Sequence, residues 1–286
     1  MSTTKSTTVT EAVKRYLKNE HSRGLSYHHL RTITGHLKAF EKAFQGKTIL
    51  SITQEEATKY INLRGSPRSK KNHLTTLRGF CKWAQDVDYI PYDRRTFSER
   101  VKNPKVSLGE PEFFTPEEMR KLLLGVAKLP KDKEWVLALV ILGGFVGMRL
   151  SEICRIKWSD ILFEHKSIKI SQLVTKTQRR RIAVIPENAL LWLSTISDKE
   201  GFIIPQKLVS NINRFTSLVT ALAGVNWKCN GLRHSYVTYA MAQERSAWQV
   251  AEQVGNSPSI LQVHYKGLVL PSDAEEWFNI TPENTL

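Results

Sequence analysis

Two arginines and one tyrosine in the second half of this chain could act together on a phosphodiester. Arg149 lies in Gly147-Met148-Arg149-Leu150-Ser151-Glu152 and Arg233 in Gly231-Leu232-Arg233-His234-Ser235, and Tyr265 follows the second arginine by 32 residues. A guanidinium stays protonated in a protein and its planar fork matches two phosphate oxygens. A phenol can attack phosphorus and carry the covalent intermediate. The set therefore suggests a phosphate gripped by two forks and attacked by a phenolate. Tyr236 and Tyr239 also follow Arg233, at helical spacing, and are read as core residues. The chain has no Gly-rich phosphate loop ending in Lys-Ser/Thr and no carboxylate cluster.

Such residues need a scaffold and a substrate that finds it. At 286 residues the chain is long enough for two domains, each with its own core. Its formal net charge is +15 and its pI about 9.7, a field that favours polyanions. The excess is uneven. Residues 1–107 hold 21 Lys/Arg against 9 Asp/Glu, whereas residues 108–286 hold 21 against 18. Such asymmetry points to nucleic acid and to the N-terminal third as its surface. Cys81, Cys154 and Cys229 are far apart and have no metal-type spacing, which fits a reduced, cytoplasmic compartment. The longest apolar run, Val136 to Met148, falls short of the roughly 20 residues of a membrane span and reads as a buried helix.

Periodicity supplies the elements. Residues 1–8 are Ser/Thr-rich and expected to be disordered. Residues 9–101 read as a four-helix domain with no strand pattern. Leu30, Ile33, Leu37, Phe40 and Phe44 share one face of its second helix, and Thr53 with Glu56 forms a capping box that opens the third. The fourth, from Ser66 or Ser69 to Asp86, turns Leu74, Leu77, Phe80, Cys81 and Ala84 inward. Its other face carries Arg64, Arg68, Lys70, Lys71, His73, Arg78 and Lys82, with few acids between them, and is expected to contact DNA phosphates. Residues 102–113 read as a linker, with two prolines, a glycine and no periodicity. Thr115-Pro116-Glu117-Glu118 then caps a new helix in residues 114–286, a second, mostly helical domain. Within it, Lys166–Leu173 and Arg181–Pro186 alternate, the latter through Ile182, Val184 and Ile185. Together they read as a β-hairpin whose tip carries Lys176, Arg179 and Arg180. Helices are expected to resume near Glu187, Val209, Leu232, Ala247 and Ser257. A short amphipathic helix from a Ser272-Asp273 cap carries Ala274, Trp277, Phe278 and Ile280.

Taken in order, Arg149, Lys176, Arg233 and Tyr265 resemble the active-site series of the tyrosine recombinases, the family of phage integrases and Xer-type and Cre-like enzymes. Residues 113–268 resemble that family's catalytic domain and residues 9–88 its helical core-binding domain. The resemblance implies a mainly α fold with a small β insertion: a four-helix, SAM-like core-binding domain followed by an α+β catalytic domain. It implies site-specific cutting and rejoining of double-stranded DNA through a 3′-phosphotyrosine, without ATP, metal or cofactor. By the same likeness Arg149 and Arg233 clamp the phosphate, Tyr265 is the nucleophile and Lys176 is the general acid. Lysine suits that last role better than its neighbours Arg179, Arg180 and Arg181, because an arginine is a poor proton donor.

Two positions depart from the family pattern. Asn230 stands where a histidine usually precedes the second arginine, and Asn256 stands after Gly255 where a histidine or tryptophan is usual. Asparagine can donate a hydrogen bond to a phosphate oxygen but is no base near neutral pH. An alternative reading follows: a DNA-binding protein that keeps the recombinase fold with weak or lost catalysis. Glu152 and His234 are supporting residues, and His264 is a further nearby histidine. The family likeness implies a homo-tetramer on paired sites, with a monomer or dimer in solution and no membrane association. The C-terminal helix is expected either to dock on a neighbouring protomer or to fold back on its own domain. With the helical domain starting near residue 9, no arm-binding domain is expected before it.

Overall fold

The computed structural model describes residues 7–106, 109–130, 133–172, 180–197, 199–243 and 246–286. It divides into two compact units, Met1–Leu108 and Gly109–Leu286.

The first unit is built from α1 (Val9–Ser22), α2 (Tyr27–Ala43), α3 (Gln54–Asn62), α4 (Pro67–Asp86) and a single turn, α5 (Phe97–Arg100). Each helix begins where a Ser or Thr oxygen accepts an otherwise orphaned N–H: Thr8, Ser26, Thr53, Ser66 and Thr96. Thr8 also bridges to Thr48, so residues 7 and 8 belong to the fold rather than to a disordered leader. Phe40, Phe80, Leu37, Leu74 and Cys81 fill the core.

The second unit contains α6 (Pro116–Ala127), α7 (Lys133–Gly144), α8 (Leu150–Ile153), β1 (Ile161–Leu162), β2 (Ser167–Ile170), β3 (Arg181–Val184), α9 (Glu187–Ser194), α10 (Ile212–Ala223), α11 (Gly231–Ala242), α12 (Ala247–Val254), α13 (Pro258–Tyr265) and α14 (Pro271–Phe278). The apolar run of the sequence is α7, buried on nearly every side, with α11 packed against it. The three strands form an antiparallel sheet in the order β1-β2-β3.

In β3 the alternation turns Ile182 and Val184 outward, where they are 62% and 61% exposed. Ala183 takes the inner face, and the Arg181 side chain is only 8% exposed, because it is paired with a buried carboxylate. The C-terminal helix starts at Pro271 rather than at a Ser272-Asp273 cap; Asp273 instead accepts from the Leu270 N–H. That helix folds back on its own unit. Trp277 is fully buried, stacks on Tyr239 with centroids 4.5 Å apart and donates to the Gly144 carbonyl at 3.2 Å. Among the described residues no helix is long and apolar enough to cross a membrane.

Candidate functional site

Arg149 and Arg233 are 84 positions apart in sequence, and one helix end gathers them. The last carbonyls of a helix have no intrahelical partner and sit at the negative end of its dipole. In α12 these are the carbonyls of Gln253, Val254 and, at the cap, Gly255. Arg149 donates from Nη1 to Val254 O at 3.2 Å and from Nη2 to Gly255 O at 2.6 Å. Arg233 donates from Nη2 to the same Val254 O at 2.7 Å and from Nη1 to Gly147 O at 2.7 Å. Arg181 donates from Nε to Gln253 O at 3.0 Å. Three guanidiniums thus converge on three consecutive carbonyls.

Local backbone explains how each side chain arrives there. Gly147 has φ +76°, and a Cβ on it would lie 2.3 Å from Cδ1 of Tyr236. Only glycine permits both the turn and the close approach. Arg149 follows as the extended cap of α8, and Glu152 accepts from its N–H at 3.0 Å. Ser235 is buried one turn into α11, where its hydroxyl donates to Gly231 O and accepts from Phe114 N, which fixes the start of the helix that carries Arg233. Gly255 closes α12 at φ +65°, with Arg181 Nη1 3.1 Å from where a Cβ would stand.

Glu152 is fully buried and, besides the Arg149 N–H, receives three guanidinium contacts. Arg149 Nη1 reaches Oε1 at 3.0 Å, while Arg181 forms a fork, Nη1 to Oε1 at 3.0 Å and Nη2 to Oε2 at 2.7 Å. Burial alone would raise this carboxyl, but the Arg181 and Arg149 bonds hold it below the usual carboxylate range. Burial, and then the charge of Arg149, pulls Arg233 down to about 9, which still leaves it a cation at neutral pH. Among the described residues, two of its five N–H donors are taken up, by Gly147 O and Val254 O.

Tyr265 ends α13 and is buried. Its hydroxyl lies 2.6 Å from Nδ1 of His234, and the two rings stack with centroids 5.7 Å apart. Burial raises the phenol above its ordinary value, and Arg233 opposes that rise. Burial and Arg233 lower His234, so its imidazole is neutral at neutral pH and can accept a proton. Tyr236 and Tyr239 are core residues, both 1% exposed.

The two asparagines sit at the rim. Asn230 is exposed and left-handed, φ 56°, at the start of α11, with its amide near Cys229 Sγ. It helps to line a cavity of about 340 Å³ shared with Arg149, Arg233 and Trp227. Asn256 is exposed, and its Oδ1 accepts from Ser257 N at 3.0 Å. Neither touches Tyr265 through a hydrogen bond. Lys176 and Arg179 lie outside the described residues; Arg180 is exposed beside β3.

In the first unit the basic face is narrower than the sequence suggested. Arg68, Lys71 and Lys82 are exposed, and Lys70 is half-buried. Arg64 lies over the Tyr60 ring at 4.3 Å and donates to Tyr60 O. Arg78 donates to Ser98 O, Val101 O and Asn103 Oδ1, tying α4 to the chain that leaves the unit's last turn. His73 is stacked on His36 with centroids 3.8 Å apart.

Residues 112–264 match the phage integrase family. The chain belongs to that family of tyrosine recombinases. It is 26% identical over 182 residues to the tyrosine recombinase XerA of Thermococcus onnurineus, a match spanning 59% of this chain and 63% of that protein, under two thirds of its length. It is 25% identical over 276 residues to the tyrosine recombinase XerA of Pyrococcus horikoshii, covering 90% and 88% of the two chains. A lambda integrase dimer bound to a COC′ core site shares the fold, with a TM-score of 0.73 and 19% identity over 92% of this chain and 79% of that one.

Sequence reasoning missed two members of the candidate site, Arg181 and Gln253. Arg181 was weighed only as a rival to Lys176. The signal available was its place at the foot of a strand, on the face opposite exposed Ile182 and Val184. Gln253 carried no signal, yet its side chain clips β3 to α12 through Val184 N and O, each at 2.8 Å. His234 was seen, but nothing in its spacing set it against Tyr265.

Proposed function

We propose that this chain is a site-specific DNA recombinase or integrase that cuts and rejoins DNA through a 3′-phosphotyrosine on Tyr265. The observation that carries the reading is the His234–Tyr265 contact beside the paired arginines. Tyr265 Oη attacks the scissile phosphorus, and its proton passes to neutral His234. The P–O5′ bond breaks, and Lys176 protonates the departing 5′-oxygen. Arg149 and Arg233 hold the non-bridging oxygens, with Asn230 and Asn256 as amide donors at the rim. A 5′-hydroxyl of the partner strand then attacks the phosphotyrosine, so the phosphodiester bond is conserved and no ATP, metal or cofactor enters.

Arg64, Arg68, Lys70, Lys71, Arg78, Arg179 and Arg180 are assigned to DNA contact, Arg68, Lys71 and Arg180 foremost because they are exposed. Residues 9–101 form the core-binding domain, and a homo-tetramer assembles on paired sites. The alternative, a DNA-binding protein with lost catalysis, draws on Asn230 and Asn256, neither of which can shuttle a proton. The His234 contact supports the first reading over the second, because it gives the phenol an acceptor that the asparagines do not.

Covalent capture decides between them. The protein is mixed with a library of nicked duplexes of randomised sequence, and DNA that survives denaturation on the protein is recovered. The recombinase reading expects an enriched sequence with wild-type protein and none with Tyr265→Phe. Retention of DNA that denaturant fully releases would support the alternative.

A further inference from the structure

We propose that Arg181 is a positioning residue, one that takes up the buried carboxylate of Glu152 so that the charge of Arg149 stays available to the scissile phosphate. The inference rests on the recombinase reading above. Glu152 has no exposed surface and cannot be neutralised by water. Its two oxygens face two guanidiniums, and of these the Arg181 fork spans both while that of Arg149 reaches Oε1. Arg149, Arg181 and Arg233 carry three positive charges against this one negative charge, which leaves two for a phosphate. If Arg181 were neutral, the only cation left on Glu152 among the described residues would be Arg149, at 3.0 Å. A desolvated carboxylate with one partner binds it tightly. Half of the clamp would then be spent inside the protein.

The surrounding bonds keep Arg181 in that duty. Its Nε is tied to Gln253 O, its fork to Glu152, and its strand to α12 through the Gln253 side chain. These bonds use a planar fork with a further donor at Nε behind it, a fixed geometry that the compact ammonium of a lysine does not have. Arg181 also fixes where the chain re-enters the sheet, five positions after Lys176. One side chain therefore ties the strand after the proposed general acid to the helix end that holds both clamp arginines.

The test uses full-length protein and DNA recovered by the covalent capture, with single-turnover adduct formation as the readout. Arg181→Gln is expected to slow the adduct about a hundredfold, as loss of one preorganised charge donor does. Adding Glu152→Gln removes the unpaired anion and restores the count of two charges. The double variant is expected to return to within about tenfold of wild type, a strongly non-additive cycle. The defect of Arg181→Gln should also shrink when a methyl group replaces one non-bridging oxygen of the scissile phosphate, because a neutral phosphonate demands less of the clamp. Thermal unfolding of each variant separates charge from folding. Arg181→Gln reacting as fast as wild type overturns the proposal. So does a double variant that folds like wild type yet is no faster than the single one. Absence of any adduct from wild-type protein overturns the recombinase reading itself, whereas equal rates for wild type and Arg181→Gln overturn this inference alone.

Discussion

Replacing His234 with glutamine should convert a nearly pH-independent cleavage into one that tracks ionisation of the phenol. The substitution keeps a polar side chain near the Tyr265 hydroxyl, which lies 2.6 Å from Nδ1, and removes only its basicity. A positioned base contributes about 10²- to 10⁴-fold, so the rate at neutral pH should fall by that factor, on the order of 3–5 kcal/mol of barrier. The pH dependence follows from the two directions of shift. Burial and Arg233 lower His234, so in wild-type protein the base is already neutral above its ordinary value, and the rate should rise at acid pH and then stay flat. Burial raises Tyr265, so without a base the attacking phenolate becomes scarcer as pH falls. The variant should gain about tenfold per pH unit from about pH 7 to about pH 9. Single-turnover covalent adduct formation across that range is the assay. A variant within about threefold of wild type at neutral pH, with the same flat profile, would refute His234 as the proton acceptor.

Other perturbations probe the scaffold and the DNA surface. Gly147→Ala forces a Cβ to within 2.3 Å of Tyr236 at φ +76°. It should cost about 1–3 kcal/mol and misplace Arg149, and an unchanged melting temperature would contradict this. Trp277→Ala empties a fully buried site under Tyr239 and should cost about 3–5 kcal/mol in urea unfolding. A loss below about 1 kcal/mol would argue against the tail helix being fixed on its own unit. Burial, then His36 and Arg64, lower His73 from its ordinary 6.5 to about 4. Between those values the unfolded chain holds a proton that the folded chain does not, so stability should decline as pH falls from 6.5 towards about 4. His73→Phe should flatten that decline in thermal unfolding. Binding to duplex DNA should weaken steeply with salt, and Lys71→Ala should reduce the log–log slope by about 1.

Much of the fold could be read from the sequence, because its signals are local. The capping boxes at Thr53/Glu56 and Thr115/Glu118 announce their helices, and the bulky apolar run could only be a buried one. β1 escaped notice because two residues carry no period. The face of β3 was not legible: alternation does not say which side turns inward, and here an ion pair with Glu152 holds Arg181 inside while Ile182 and Val184 stay exposed. At the candidate site, the residue types of Arg149, Arg233 and Tyr265 were legible. What gathers the arginines was not, since the acceptors are the backbone carbonyls of Gln253, Val254 and Gly255, which any residue supplies. Asn230 and Asn256 were weighed by sequence position alone. Which histidine meets Tyr265 is set by the phase of α11 and the placement of α13, and both are tertiary.

The central claim is that Tyr265 becomes covalently attached to DNA. Protease digestion of the captured adduct, followed by mass spectrometry of the nucleotide-bearing peptide, tests it most directly. The expected result is a 3′-nucleotide phosphoester on the peptide containing Leu261-Gln262-Val263-His264-Tyr265-Lys266, localised to Tyr265 and absent from Tyr265→Phe. A phosphoester on any other residue, or an undiminished adduct in Tyr265→Phe, would contradict it.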